Sequence, residues 1–107
     1  MAFTLGHNTP LADLMVISPR KQHFIIDVKG QWAKSPWILK RKRKRTELYY
    51  VLALVPPTET NRFFILSQKI ANKLVQRSRR KRPGQQWDGF PFRSVGEYEN
   101  KWKLLPR

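Results

Sequence analysis

The sequence predicts an α+β domain, sandwich-like, with helices packed on a mixed and mainly antiparallel sheet of four to five strands. Three observations carry that prediction. Segments with the β-branched and aromatic character of strands fill positions 11–66, while helical spacing first appears at 67–76. Strands grouped before helices favour segregated layers over a doubly wound parallel sheet. The length of 107 residues suits one domain, 1–107, and the 40% hydrophobic content, with four Trp, three Tyr and six Phe, is enough for a small core. A wholly disordered basic tail is excluded by the same numbers.

Taken in order, 11–18 (LADLMVIS) is a short apolar run closed by Pro19, and 22–29 (QHFIIDVK) is a second strand bounded by Gly30. Between them Ser18-Pro19-Arg20-Lys21 is turn-like, with Pro at the second position, so the two strands form an antiparallel hairpin. Positions 32–39 hold Trp37, Ile38 and Leu39 and suit a short edge strand. Positions 47–55 (ELYYVLALV), stopped by Pro56-Pro57, are the strongest central strand, and 62–66 (RFFIL) follows a polar turn. In 67–76 (SQKIANKLVQ) Ile70, Leu74 and Val75 share a helical face, with Ser67 as the cap. A last short helix is expected over 94–103, where Ser94 and Glu97 have capping-box spacing and Tyr98 and Trp102 stand at i, i+4.

Twenty-two Lys and Arg against seven Asp and Glu give a net charge of +15. Eleven of the bases sit in two runs, and without them the net charge would be +4. Lys40, Arg41, Lys42, Arg43, Lys44 and Arg45 form the first run; Arg77, Arg79, Arg80, Lys81 and Arg82 form the second. Like charges in sequence repel, so both runs are expected as solvated loops or frayed element ends. A solvated loop of no specific role and a nuclear-localisation patch are the simpler explanations. Two runs on so small a domain favour contact with nucleic-acid phosphates, since each neutralised phosphate releases counterions. Nucleic acid is the expected partner class, with an anionic membrane surface less favoured. No apolar run approaches the roughly 20 residues of a membrane span, and 1–13 lacks a signal-peptide pattern. A soluble, intracellular protein of the cytoplasm or nucleoid is expected. With no cysteine, disulfides and cysteine-based zinc sites are excluded.

Acid is scarce, so its placement is informative. Asp13 and Asp27 both fall inside apolar strand candidates, where an unpaired carboxylate is costly. A period of two puts His23, Ile25, Asp27 and Lys29 on one face of the second strand, and Phe24, Ile26 and Val28 on the other. If the hairpin turn is centred on Arg20, Asp13 faces Asp27, with Cβ atoms roughly 4.5–5.5 Å apart. Two facing carboxylates destabilise a sheet unless a divalent cation bridges them, and hard cations take oxygen ligands. A plain Asp27–Lys29 ion pair of small value is the alternative. His7 and His23 are too few and too isolated for zinc, and no P-loop, dinucleotide fingerprint or Ser-His-Asp order is present.

These residues resemble the signature of the PD-(D/E)XK nuclease superfamily, the restriction-endonuclease-like fold. Asp13 in PLADLMV stands for its first acid, and Asp27-Val28-Lys29 in FIIDVKG for its second motif. The surroundings are similar to a group of small members of that superfamily. Gly6-His7-Asn8-Thr9-Pro10 precedes the first acid, Gly30 follows the Lys, and Trp37 lies in the next strand. Tyr49-Tyr50-Val51, Phe63-Phe64-Ile65-Leu66 and a tail with Tyr98, Trp102 and Leu105 complete the likeness, which spans nearly the whole chain. Ala12 replaces the usual Pro, and the N-terminal core helix is expected to be short or absent, because twelve residues precede Asp13 and none is acidic. The sheet face such a helix would bury is then expected to be open or held by a partner, with a homodimer as one solution.

The resemblance implies a metal-dependent DNA endonuclease. Asp13, Asp27 and the backbone carbonyl of Val28 would hold Mg²⁺ or Mn²⁺, and Lys29 would act on the attacking water or the phosphate. Asn8 and Gln31 would contact DNA, and the two basic runs would grip its backbone. Trp32, Trp37 and Trp87 are core residues first and base-stacking platforms second. The rival implications are an inactive nucleic-acid-binding module of the same fold and, on charge alone, an RNA-associated basic protein.

Overall fold

The computed structural model describes residues 9–39 and 47–107, and only the backbone of 9–13. Four strands form one mixed sheet in the order β1-β2-β4-β5: β1 (Thr9–Ile17), β2 (His23–Gln31), β4 (Leu48–Leu54) and β5 (Arg62–Ser67). β1 and β2 are antiparallel, β2 and β4 parallel, and β4 and β5 antiparallel. A second, two-stranded sheet pairs β3 (Trp37–Ile38) with β6 (Gly89–Phe90). The edge strand expected around Trp37 therefore exists, but outside the main sheet. Its partner β6 carries too few residues to show a period, and Gly89 sits where a methyl group would collide with the Trp37 carbonyl oxygen.

The hairpin turn follows its sequence. Pro19 takes the second position of a turn closed by Lys21 N–H donating to the Ser18 carbonyl at 2.8 Å, with Lys21 at φ 62°. The Ser18 hydroxyl also accepts from Gln22 N–H at 3.1 Å, which locks the turn ends together.

The helix α1 (Gln68–Lys81) is capped by Ser67, whose hydroxyl accepts from Ile70 N–H at 3.2 Å. Ala71, Leu74 and Val75 turn inward onto Tyr50, Leu52, Leu54, Phe64 and Leu66, and Trp37, Phe90 and Val95 close the core from the side. Of the two expectations for 77–82, a solvated loop or the end of an element, the structure shows the second: the run forms the last turns of α1, which continues through Lys81, where cations complement the negative end of the helix dipole.

The expected helix over 94–103 is also corrected. Two 3-10 segments, Phe92–Tyr98 and Trp102–Leu104, are separated by Asn100 at φ 56°, a left-handed conformation that Asn tolerates and that stops a helix. Ser94 does not cap; Pro91 holds that position without a side-chain bond. Trp102 packs on Phe63 with ring centres 5.8 Å apart instead of on Tyr98. Asn100 N–H donates to the Phe63 carbonyl at 2.9 Å, so the tail is tied along β5. The sheet face opposite α1 is not open, since Val51, Ala53 and Ile65 on it are buried. Apolar exposure is concentrated instead on the outer strand β1, where Met15 is 77% and Ile17 61% exposed.

The tail is fixed by a two-pronged pair in which Arg62 Nε and Nη2 donate to the Glu99 carboxylate, both at 2.9 Å. The Arg62 hydrogen bonds hold the Glu99 carboxyl below its ordinary value of 4.5. A depressed folded value means that the pair's stabilisation is complete above about 4.5 and is lost as the pH falls through the folded value. Glu99→Gln is expected to flatten the acid limb of Tm against pH; parallel limbs for both proteins would show that the pair contributes nothing.

Candidate active site on β1 and β2

The hairpin register brings the two expected acids together. Asp13 pairs with Asp27, Met15 with Ile25 and Ile17 with His23, the alignment of a turn centred on Arg20. A bulge between Pro10 and Ala12 then shifts the strand by one residue, so that Pro10 faces Lys29. The bulge falls beyond Asp13 and leaves the acid pair in place.

The alternation along β2 is the expected one. Ile25, Asp27, Lys29 and Gln31 pair with Leu48, Tyr50, Leu52 and Leu54 of β4, the strand positions that point into the core under α1. Asp27 is 5% exposed, and its Oδ1 lies 3.4 Å from Lys29 Nζ. Burial beside Tyr50 removes water from the carboxylate, and the ammonium two residues along supplies the compensating charge. Lys29 keeps a small part of its side chain in solvent, so the pair is not sealed off from water.

The donor set is chemically uniform. The Asp27 carboxylate, the Asp13 position opposite it and the Val28 backbone carbonyl between Asp27 and Lys29 offer oxygen alone, which suits a hard cation such as Mg²⁺ or Mn²⁺ and not zinc. Among the described residues no group of three or more His, Cys, Asp or Glu side chains converges.

Other expected contacts distribute unevenly. Gln31 is fully buried, and its amide donates to the Ser35 carbonyl at 2.7 Å, so it holds the chain after β2 together instead of meeting solvent. Trp37 is fully buried against Phe92, whereas Trp32 and Trp87 remain partly exposed. Asn8 and the run from Lys40 to Arg45 lie outside the described residues. In the second run Arg79 is diverted into a salt bridge with Asp88, while Arg77, Lys81 and Arg82 line one cavity with Arg93. Arg93 had no sequence signal: it is a lone base in an aromatic stretch, and only the fold brings it to the end of α1.

No protein-family model, curated protein or solved structure matches the chain. No helix among the described residues is long and apolar enough to cross a membrane.

Proposed function

We propose that the protein is a metal-dependent phosphodiesterase acting on DNA, with its reaction centre at Asp13, Asp27 and Lys29. The observation that carries this reading is the register that sets Asp13 opposite a buried Asp27 already paired with Lys29. A buried Asp27 with a second acid at the facing strand position and a lysine beside it is costly to keep in a sheet and is the arrangement that a hard cation relieves.

Asp27, the Val28 carbonyl and Asp13 would hold the cation, which supplies Lewis-acid polarisation of a phosphate oxygen when bound. Lys29 has three donors and no acceptor as an ammonium, so it binds a phosphate oxygen and stabilises charge developing there. Asp27 fixes the Lys29 ammonium in direction through the 3.4 Å contact. The basic residues at the end of α1 retain the polyanion.

The test is nicking of supercoiled plasmid, single-stranded and branched DNA in Mg²⁺ or Mn²⁺. Cleavage is expected with either metal, to cease with EDTA, and to fall at least about tenfold in Lys29→Ala. Metal-independent cleavage, or full activity in Lys29→Ala, would exclude this centre. The cations Arg77, Lys81, Arg82 and Arg93 lining one cavity away from Asp27 favour one second reading, a nucleic-acid-binding module of the same fold without catalysis. DNA binding without cleavage in any of these conditions would select it.

A further inference from the structure

We propose that the end of α1 and the Phe92–Tyr98 segment form a separate oxyanion pocket that seats one phosphate of the bound nucleic-acid strand. The proposal takes its polyanion partner from the reading above, but it needs neither a metal nor cleavage. A cavity of about 60 Å³ opens there, and Arg77, Lys81 and Arg82 of α1 line it together with Arg93 across from them. Ser78 and Ser94 add hydroxyl groups, and no carboxylate lines the cavity.

Residues 77, 78, 81 and 82 fall on one helical face by their spacing, while Arg79 leaves it for Asp88. Completion of the helix dipole accounts for bases at this end of α1. It does not account for Arg93, which reaches the same space from another segment.

The nearby acids are already engaged. Asp88 holds Arg79, and Glu97 accepts from the Tyr98 hydroxyl, whose ionisation is pushed upward by burial and by that hydrogen bond. Ser78 is buried, with its Oγ donating to Gln85 Oε1 at 3.1 Å, and Arg82 Nη1 lies 3.5 Å from the same Oγ. The floor is thus fixed, and Arg82 is held beside it.

Four cations around one small space repel one another until an anion enters. Guanidinium groups match the oxygens of a tetrahedral phosphate in pairs, with Lys81 as an added point charge. A strand phosphate and free inorganic phosphate offer the same oxygens, and the experiment separates them.

Amide spectra are recorded during titration with inorganic phosphate, and binding of a labelled oligonucleotide is measured across a salt series. The proteins are wild type, Arg77→Gln/Arg93→Gln, and Lys34→Gln/Lys103→Gln, an equal charge loss at exposed positions elsewhere. Arg77→Lys/Arg93→Lys keeps the charge, and thermal melting verifies folding.

Phosphate is expected to shift the amides of Ser78, Arg93 and Ser94 in wild type and not in the Gln pair. Oligonucleotide affinity is expected to fall at least about tenfold in the Gln pair, with a salt slope shallower by about one. The Lys pair should recover part of that loss, and the remote pair should stay within about threefold of wild type. Equal affinity and slope in the pocket and remote variants would overturn the proposal. Phosphate shifts at the pocket with unchanged strand affinity would make free phosphate the ligand and overturn the strand assignment. A wild type that binds no oligonucleotide would instead overturn the nucleic-acid reading itself.

Discussion

Asp27→Asn is expected to lower metal-dependent nicking by at least about 100-fold while leaving DNA affinity within about threefold. Loss of an outer partner of a metal site already costs about 10- to 100-fold, and Asp27 would be a direct ligand. Asn keeps the shape of the side chain next to Tyr50 and removes its charge, so the fold should survive. Asp27→Ala is a harsher change, because it also takes the carboxylate away from the Lys29 ammonium 3.4 Å distant. Comparing the two separates chemistry from folding: equal loss of cleavage with unequal thermal stability is the expected pattern. An Asn variant that nicks within tenfold of wild type would remove Asp27 from the reaction.

Phe64→Ala is expected to cost about 3–5 kcal/mol in denaturant-induced unfolding. Phe64 is fully buried in β5, where it meets Phe92 edge to face at 5.6 Å and 83° and carries the Arg62 guanidinium 5.4 Å above its ring. One side chain thus joins the sheet, the 3-10 segment and the Arg62–Glu99 tie, and truncation opens a cavity that none of them can fill alone. Trp102→Ala, at a half-exposed position on Phe63, should cost less than about 1 kcal/mol by contrast. A loss below about 1 kcal/mol for Phe64→Ala would mean that the core is organised differently.

The parts of this fold that were legible in the sequence are those set by local chemistry. Pro19 in the turn sets the hairpin register, and with it the Asp13–Asp27 pairing, because a turn position determines the facing pairs as far as the next bulge. Ser67 marked the start of α1 in the same way. The elements that were misjudged depend on distant partners. The Trp37 strand could not be placed because its partner is the two-residue β6, on the far side of α1 in sequence. The last helix was expected from capping-box spacing, but Asn100 and the attraction of Trp102 to Phe63 outweigh that weak local preference. The candidate site divides along the same line. Asp27 and Lys29 lie two apart on one strand and were readable, whereas Arg93 joins Arg77 and Lys81 only through tertiary packing.

Amide spectra of the protein during Mn²⁺ titration test most directly whether a cation is held between the two facing strands. Paramagnetic broadening is predicted to appear first at Asp13, Asp27 and Val28, to be displaced by excess Mg²⁺, and to disappear in Asp27→Asn. Broadening centred elsewhere, or persisting unchanged in Asp27→Asn, would contradict a metal site at this hairpin.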